Sequence, residues 1–151
     1  MRVFHDETVH AALRPGVQPP EVEVAGGALD ALLSLPVALG GIERSDTTNP
    51  EQLFGGALAG CMVFAVEHTL RRLRRRPEAL AGLRATAEVR IGRAPDRTNR
   101  LEIDLRVELP AMSQAEAEAV CLEATRYCPF HQALNGNVTE TLTVVGAGPV
   151  A

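Results

Sequence analysis

The chain has 151 residues, 46% of them hydrophobic, and a net charge of −4. That apolar content excludes a disordered chain and supports one domain over 1–151 with a real core. All fifteen basic residues are arginine, which excludes Schiff-base lysine chemistry and the P-loop lysine. The acidic balance argues against a general nucleic-acid binder.

The first residues, Met-Arg-Val-Phe-His-Asp-Glu, carry acids and no apolar run. They do not read as a secretory signal, so a cytoplasmic location is expected, with the three cysteines as free thiols. Residues 2–13 predict a strand without clean alternation. Arg14-Pro15-Gly16 and Pro19-Pro20 then mark a turn and an irregular loop. Glu21 to Ala25 and Leu29 to Leu35 are short strand candidates separated by Gly26-Gly27, a hairpin pattern. Residues 40–48 form a loop into Asn49.

Asn49 suits an N-cap, Pro50 the first helical position and Glu51 the positive end of the helix dipole. The helix expected from Pro50 to Arg75 stops before Pro77. Its fourteen uncharged residues from Leu53 to Val66 fall short of the ~20 needed to span a bilayer, so it is read as a buried protein helix, with no membrane partner. Gly56 and Gly60 leave one face open to close helix contact, with a second copy of the chain as a candidate partner. The arginine run 71–76 reads as a solvated helix end.

Arg84 to Ile91 and Leu101 to Leu109 both alternate apolar with polar, predicting a long antiparallel hairpin with one wet face. Ser113 and Glu116 form a capping box, and Ala117, Val120, Cys121, Ala124, Tyr127 and Cys128 recur at helical spacing. This second helix is expected to end near Cys128-Pro129, before a last strand from Val138 to Val145. Strands and helices are segregated, which indicates an α+β fold with helices on antiparallel sheet.

A cysteine on an apolar helix is by default a small core residue, and that reading applies to Cys61 on spacing alone. To react, Cys61 needs a cation from elsewhere; Arg14 and His131 are candidates. Cys121 and Cys128, seven apart on one predicted helix, stand about 10.5 Å apart along its axis at ~1.5 Å per residue, too far for a mutual disulfide. A disulfide, if formed, connects the two helices, and Cys128 at the helix end moves more easily than Cys121, which reads as inert. Glu51 lies about 15 Å before Cys61 along a continuous helix at ~1.5 Å per residue. Either the helix bends at Gly55-Gly56 or Glu51 serves a partner subunit, unless it only complements the dipole.

Thr-Asn-Pro-Glu-Gln-Leu-Phe from Thr48, followed by Gly-Gly-Ala-Leu-Ala-Gly-Cys61, and Cys128-Pro-Phe-His-Gln-Ala-Leu-Asn-Gly-Asn-Val resemble the OsmC/Ohr family of thiol peroxidases, closest to the organic hydroperoxide resistance branch. The two cysteine motifs stand 67 residues apart, and most of the chain follows the family's order. The resemblance implies an intertwined α+β homodimer, antiparallel sheets around two central helices, and sites at the interface. It implies Cys61 as peroxidatic cysteine, Cys128 as resolving cysteine, Glu51 as the carboxylate holding a catalytic arginine, and a dihydrolipoyl-type dithiol as external reductant. Arg14 is the assigned arginine and Arg44 the alternative; His131 stands where the family often has serine. Phe54, Leu58, Phe64 and Phe130 are expected to line an apolar entrance for alkyl or lipid hydroperoxides, or else simply to pack in the core. No bound cofactor or metal is expected: His5, His10, His68 and His131 are scattered, and no dinucleotide motif occurs. Competing readings are a disulfide reductase or thiol transfer enzyme, and a non-catalytic redox-sensing or lipid-binding dimer.

Overall fold

A computed structural model describes residues 5–16, 18–42 and 44–147. The chain divides into two compact units, Met1–Leu53 and Phe54–Ala151.

In the first unit, β1 (His10–Leu13), β2 (Glu21–Gly26) and β3 (Leu29–Ser34) form an antiparallel sheet in that order. The expected hairpin is present. Gly27 turns between β2 and β3 with φ 58°, a left-handed conformation that glycine adopts without steric cost. The chain then returns past β3, where the Ser34 N–H donates to the Thr48 carbonyl at 2.9 Å. This leads into the Asn49 cap, whose side-chain oxygen accepts the Gln52 N–H at 2.8 Å.

Helix α1 (Pro50–Arg72) starts where predicted and ends three residues early. Arg74 takes a left-handed φ of 53° and the Arg75 N–H folds back to the Leu70 carbonyl, so the helix closes on itself before Pro77 can act. By length and composition its 23 residues suffice to cross a membrane. One stripe of it, however, is core: Leu58, Met62, Ala65, Val66 and Leu70 are buried.

The second unit is built on β4 (Arg84–Arg93) and β5 (Asn99–Ser113), antiparallel with Ala85 opposite Val107 and Val89 opposite Ile103. The inward positions of β5, Ile103, Leu105, Val107 and Leu109, are at most 1% exposed. Each such side chain withdrawn from water contributes about 1.5–3 kcal/mol. On the wet face Arg84 bonds Glu108 at 2.6 Å and Arg90 bonds Asp104 at 2.7 Å. Gly55 lets α1 approach this sheet, since a Cβ there would lie 3.1 Å from Val89 Cγ2. Gly56 and Gly60, in contrast, face open space.

Helix α2 (Gln114–Thr125) begins at the predicted capping box, with Ser113 and Glu116 bonded reciprocally. It ends earlier than the periodicity suggests, and Cys128 is not on it. Pro129 drives the residue before it out of helical geometry, so Cys128 is extended (φ −85°, ψ 104°) and caps a separate short helix, α3 (Pro129–Leu134). Strand β6 (Thr139–Ala147) follows and pairs with β5 in parallel, which corrects the expectation of a wholly antiparallel sheet. The segment carrying α2 and α3 supplies the long crossover that parallel pairing requires.

Candidate functional site

In the second unit, Cys61 lies half-buried on α1 beside the buried stripe, and Cys128 is fully buried at the head of α3. The two thiols are neighbours: the Cys61 thiol is one of the groups acting on that of Cys128, and both are free. Burial pushes the Cys128 thiol up to about 11, and Cys61 adds to that rise. The N–H groups of His131 and Phe130 oppose it, and the His131 N–H donates to Cys128 Sγ at 3.4 Å. Cys128 is therefore a neutral thiol near pH 7, with N–H dipoles already aimed at it to steady a thiolate. Because Cys128 caps α3, the expected spacing of Cys121 and Cys128 along one helix does not apply.

Cys121 is wholly buried in the core, in keeping with an inert role, and burial pushes its thiol from 9.0 up to about 11. A raised thiol means the folded state keeps its proton longer than the unfolded chain. Stability from this source is complete below about pH 9 and is lost as pH rises toward 11. Cys121→Ala is expected to flatten the fall in stability across that window, as read from chemical denaturation on either side of it.

The first unit gathers the candidate arginines on a carboxylate that the sequence did not single out. Glu21, 2% exposed at the start of β2, accepts from Arg14 Nη1 at 2.9 Å and from Arg44 Nη1 through its other oxygen. Arg14 also meets Glu23 at 3.3 Å, and Arg44 forks onto Asp46. Bonding from Arg44 holds the Asp46 carboxyl below its ordinary range, and Asp46 raises Arg44 in turn. Glu51 has a different position: among the described residues its buried Oε2 has no hydrogen-bond partner and no ion pair joins it to Arg14 or Arg44. Helix α1 is continuous from Pro50 to Arg72, with Gly55 and Gly56 inside it.

The four apolar candidates separate. Leu58 is a core residue at 0% exposure. Phe54 packs against the same core, whereas Phe64 is 74% exposed and Phe130 also lies open. His131 points back into the fold, its Nδ1 2.9 Å from Glu140 Oε1. Glu140 was legible as an inward acid, since Val138, Glu140, Leu142 and Val144 share one side of the strand by alternation. Among the described residues no group of three or more His, Cys, Asp or Glu side chains is placed to hold a metal ion.

Residues 43–143 match the family described as OsmC-like protein. The chain belongs to that family. It is 33% identical over 137 residues to an organic hydroperoxide resistance protein of Xanthomonas axonopodis pv. citri, covering 91% of this chain and 93% of the relative. Among solved structures, it resembles an organic hydroperoxide resistance protein OsmC of Legionella pneumophila, with TM-score 0.80 and 30% identity over 95% of this chain and 99% of that one. An organic hydroperoxide resistance protein of Elizabethkingia anophelis is similar at TM-score 0.83 and 26% identity, covering 97% and 99%. The α+β fold and the organic hydroperoxide resistance branch expected from the motifs are both borne out.

Proposed function

We propose that this OsmC-like protein is a thiol peroxidase that reduces organic hydroperoxides to alcohols. The observation that carries the reading is the pairing of two free thiols, Cys61 on α1 and Cys128 at the head of α3. The names of its relatives support the substrate class.

In the first step the Cys61 thiolate attacks the terminal oxygen of the hydroperoxide. The O–O bond breaks, the alkoxide takes a proton to leave as alcohol, and Cys61 becomes a sulfenic acid. Cys128, kept neutral by burial, does not compete for the peroxide. It then attacks the Cys61 sulfur, its proton joins the departing hydroxide as water, and a Cys61–Cys128 disulfide remains. An external dithiol, of dihydrolipoyl type, restores both thiols and leaves as its own disulfide.

An arginine is required to hold the Cys61 thiolate and bind the peroxide oxygen, and Arg14 is the proposed donor, with Arg44 sharing its carboxylate. Glu51 is proposed to receive that arginine at the site of a second subunit, a role suited to a buried oxygen with no hydrogen-bond partner among the described residues. The open Gly56 and Gly60 and the exposed Phe64, four apart along α1, are the surface proposed for the homodimer contact. A cytoplasmic location and independence of metal or bound cofactor complete the reading.

The test is single-turnover loss of free thiol in the reduced protein mixed with an alkyl hydroperoxide, with hydrogen peroxide in parallel and peptide mapping of the product. Fast loss with the alkyl hydroperoxide and a Cys61–Cys128 link are expected. Slow, unselective oxidation would mean that Cys61 is not activated and would overturn the reading.

A further inference from the structure

The peroxidase reading leaves one buried polar pair unused. Glu140 points inward from β6 on the side of Leu142 and Val144, with its side chain 7% exposed. One carboxylate oxygen meets His131 Nδ1 at 2.9 Å, and the other has no hydrogen-bond partner among the described residues. The His131 ring is 19% exposed. A carboxylate at a core-facing strand position is costly unless something pairs with it, so this contact constrains both residues far more than a surface ion pair would.

What it constrains is the turn that carries Cys128. His131 is the third residue after Cys128, and its own backbone N–H donates to Cys128 Sγ at 3.4 Å. Gln132, the next residue, donates its side-chain amide to the Thr125 carbonyl at the end of α2 at 3.0 Å. The first turn of α3 is thus tied to β6 through one side chain and to α2 through the next, and the sulfur rests on the N–H between them.

We propose that His131 and Glu140 are a positioning pair that holds the Cys128 sulfur in line with Cys61 and thereby sets the rate of disulfide formation, an inference that rests on the peroxidase reading above. In that step the Cys128 S–H bond breaks, an S–S bond to Cys61 forms, and the sulfenic S–O bond breaks to release water. No outside oxidant or reductant takes part. The preceding attack on the peroxide makes and breaks no bond at Cys128, so the pair leaves it untouched. Misplacement of a reacting atom by ~1 Å costs about 100-fold in rate, which is the scale of effect at stake.

The experiment follows both steps in the reduced full-length protein mixed with tert-butyl hydroperoxide, separating sulfenic acid at Cys61 from disulfide by quenched trapping and mass analysis. His131→Ala is expected to leave sulfenic acid formation at the wild-type rate and to slow disulfide formation about 10- to 100-fold. Glu140→Gln is expected to slow the same step by a smaller factor. His131→Gln, which retains a side-chain N–H for Glu140, is expected to restore most of the rate. Wild-type disulfide formation in both His131→Ala and Glu140→Gln would overturn the proposal, as would equal slowing of both steps. A His131→Gln protein as slow as His131→Ala would also overturn it, because the ring would then act by acid–base chemistry rather than by position. If His131→Ala does not fold, Glu140→Gln and His131→Gln decide the matter by the same criteria. Failure of the peroxidase reading is distinguishable, since the wild-type protein itself would then form no rapid sulfenic acid and no Cys61–Cys128 link.

Discussion

Cys61→Ser is expected to reduce hydroperoxide consumption to the level of buffer, while the protein remains folded. Displacement at an O–O bond needs a polarisable anion, and a serine hydroxyl stays protonated where a thiol can ionise. The remaining thiols do not substitute for it. Cys121 is sealed in the core, and burial pushes both Cys121 and Cys128 up to about 11, so neither supplies appreciable thiolate near neutral pH. Cys61 is only half-buried and lies beside the core stripe of α1, so exchanging sulfur for oxygen there is expected to cost about 1 kcal/mol or less of stability. Peroxide consumption assayed beside a thermal melt checks both statements. Retained activity in a folded Cys61→Ser protein would mean that another group is the nucleophile.

Cys128→Ser separates the two halves of the reaction. The variant is expected to consume one equivalent of alkyl hydroperoxide per Cys61 at the wild-type rate, then at most a slower second equivalent, and to show no turnover, whatever dithiol is supplied in place of the disulfide's natural reductant. Serine is small enough for the site and can still accept the His131 N–H that now reaches the sulfur, so the turn is retained. Without a resolving thiol, the Cys61 sulfenic acid persists and is driven by excess peroxide to sulfinic acid, which thiols do not reverse. Mass analysis after mixing reads the sequence of species directly. Full turnover in this variant would mean that the dithiol attacks the sulfenic acid itself and that Cys128 is not part of the cycle.

The motif residues and the core were both legible because they rest on local chemistry. Alternation from Arg84 to Ile91 and from Leu101 to Leu109 is imposed by the pleat, and the strands form with Ala85, Ala87 and Val89 facing the core. Leu58 shows the limit of that kind of inference: a leucine near a cysteine motif reads more readily as core packing than as a pocket wall, but its complete burial is visible only in the fold. Cys128 shows another. Its helical spacing with Cys121 was real, but Pro129 carries a steric rule that overrides periodicity and places the cysteine at the start of a new helix.

By itself, the sequence determined where α1 and α2 begin, through the Asn49 cap and the Ser113–Glu116 box, which strand faces are buried, and to which family the chain belongs. Each of these depends on groups within a few residues of one another, where backbone geometry leaves little choice. Only the tertiary structure decided that β6 runs parallel to β5, that Glu21 takes both Arg14 and Arg44, and that Glu140 meets His131. The physical reason is that an unsatisfied buried charge accepts any partner the packing delivers. Which one arrives depends on how strands and helices close over intervening chain, and that is a property of the whole fold.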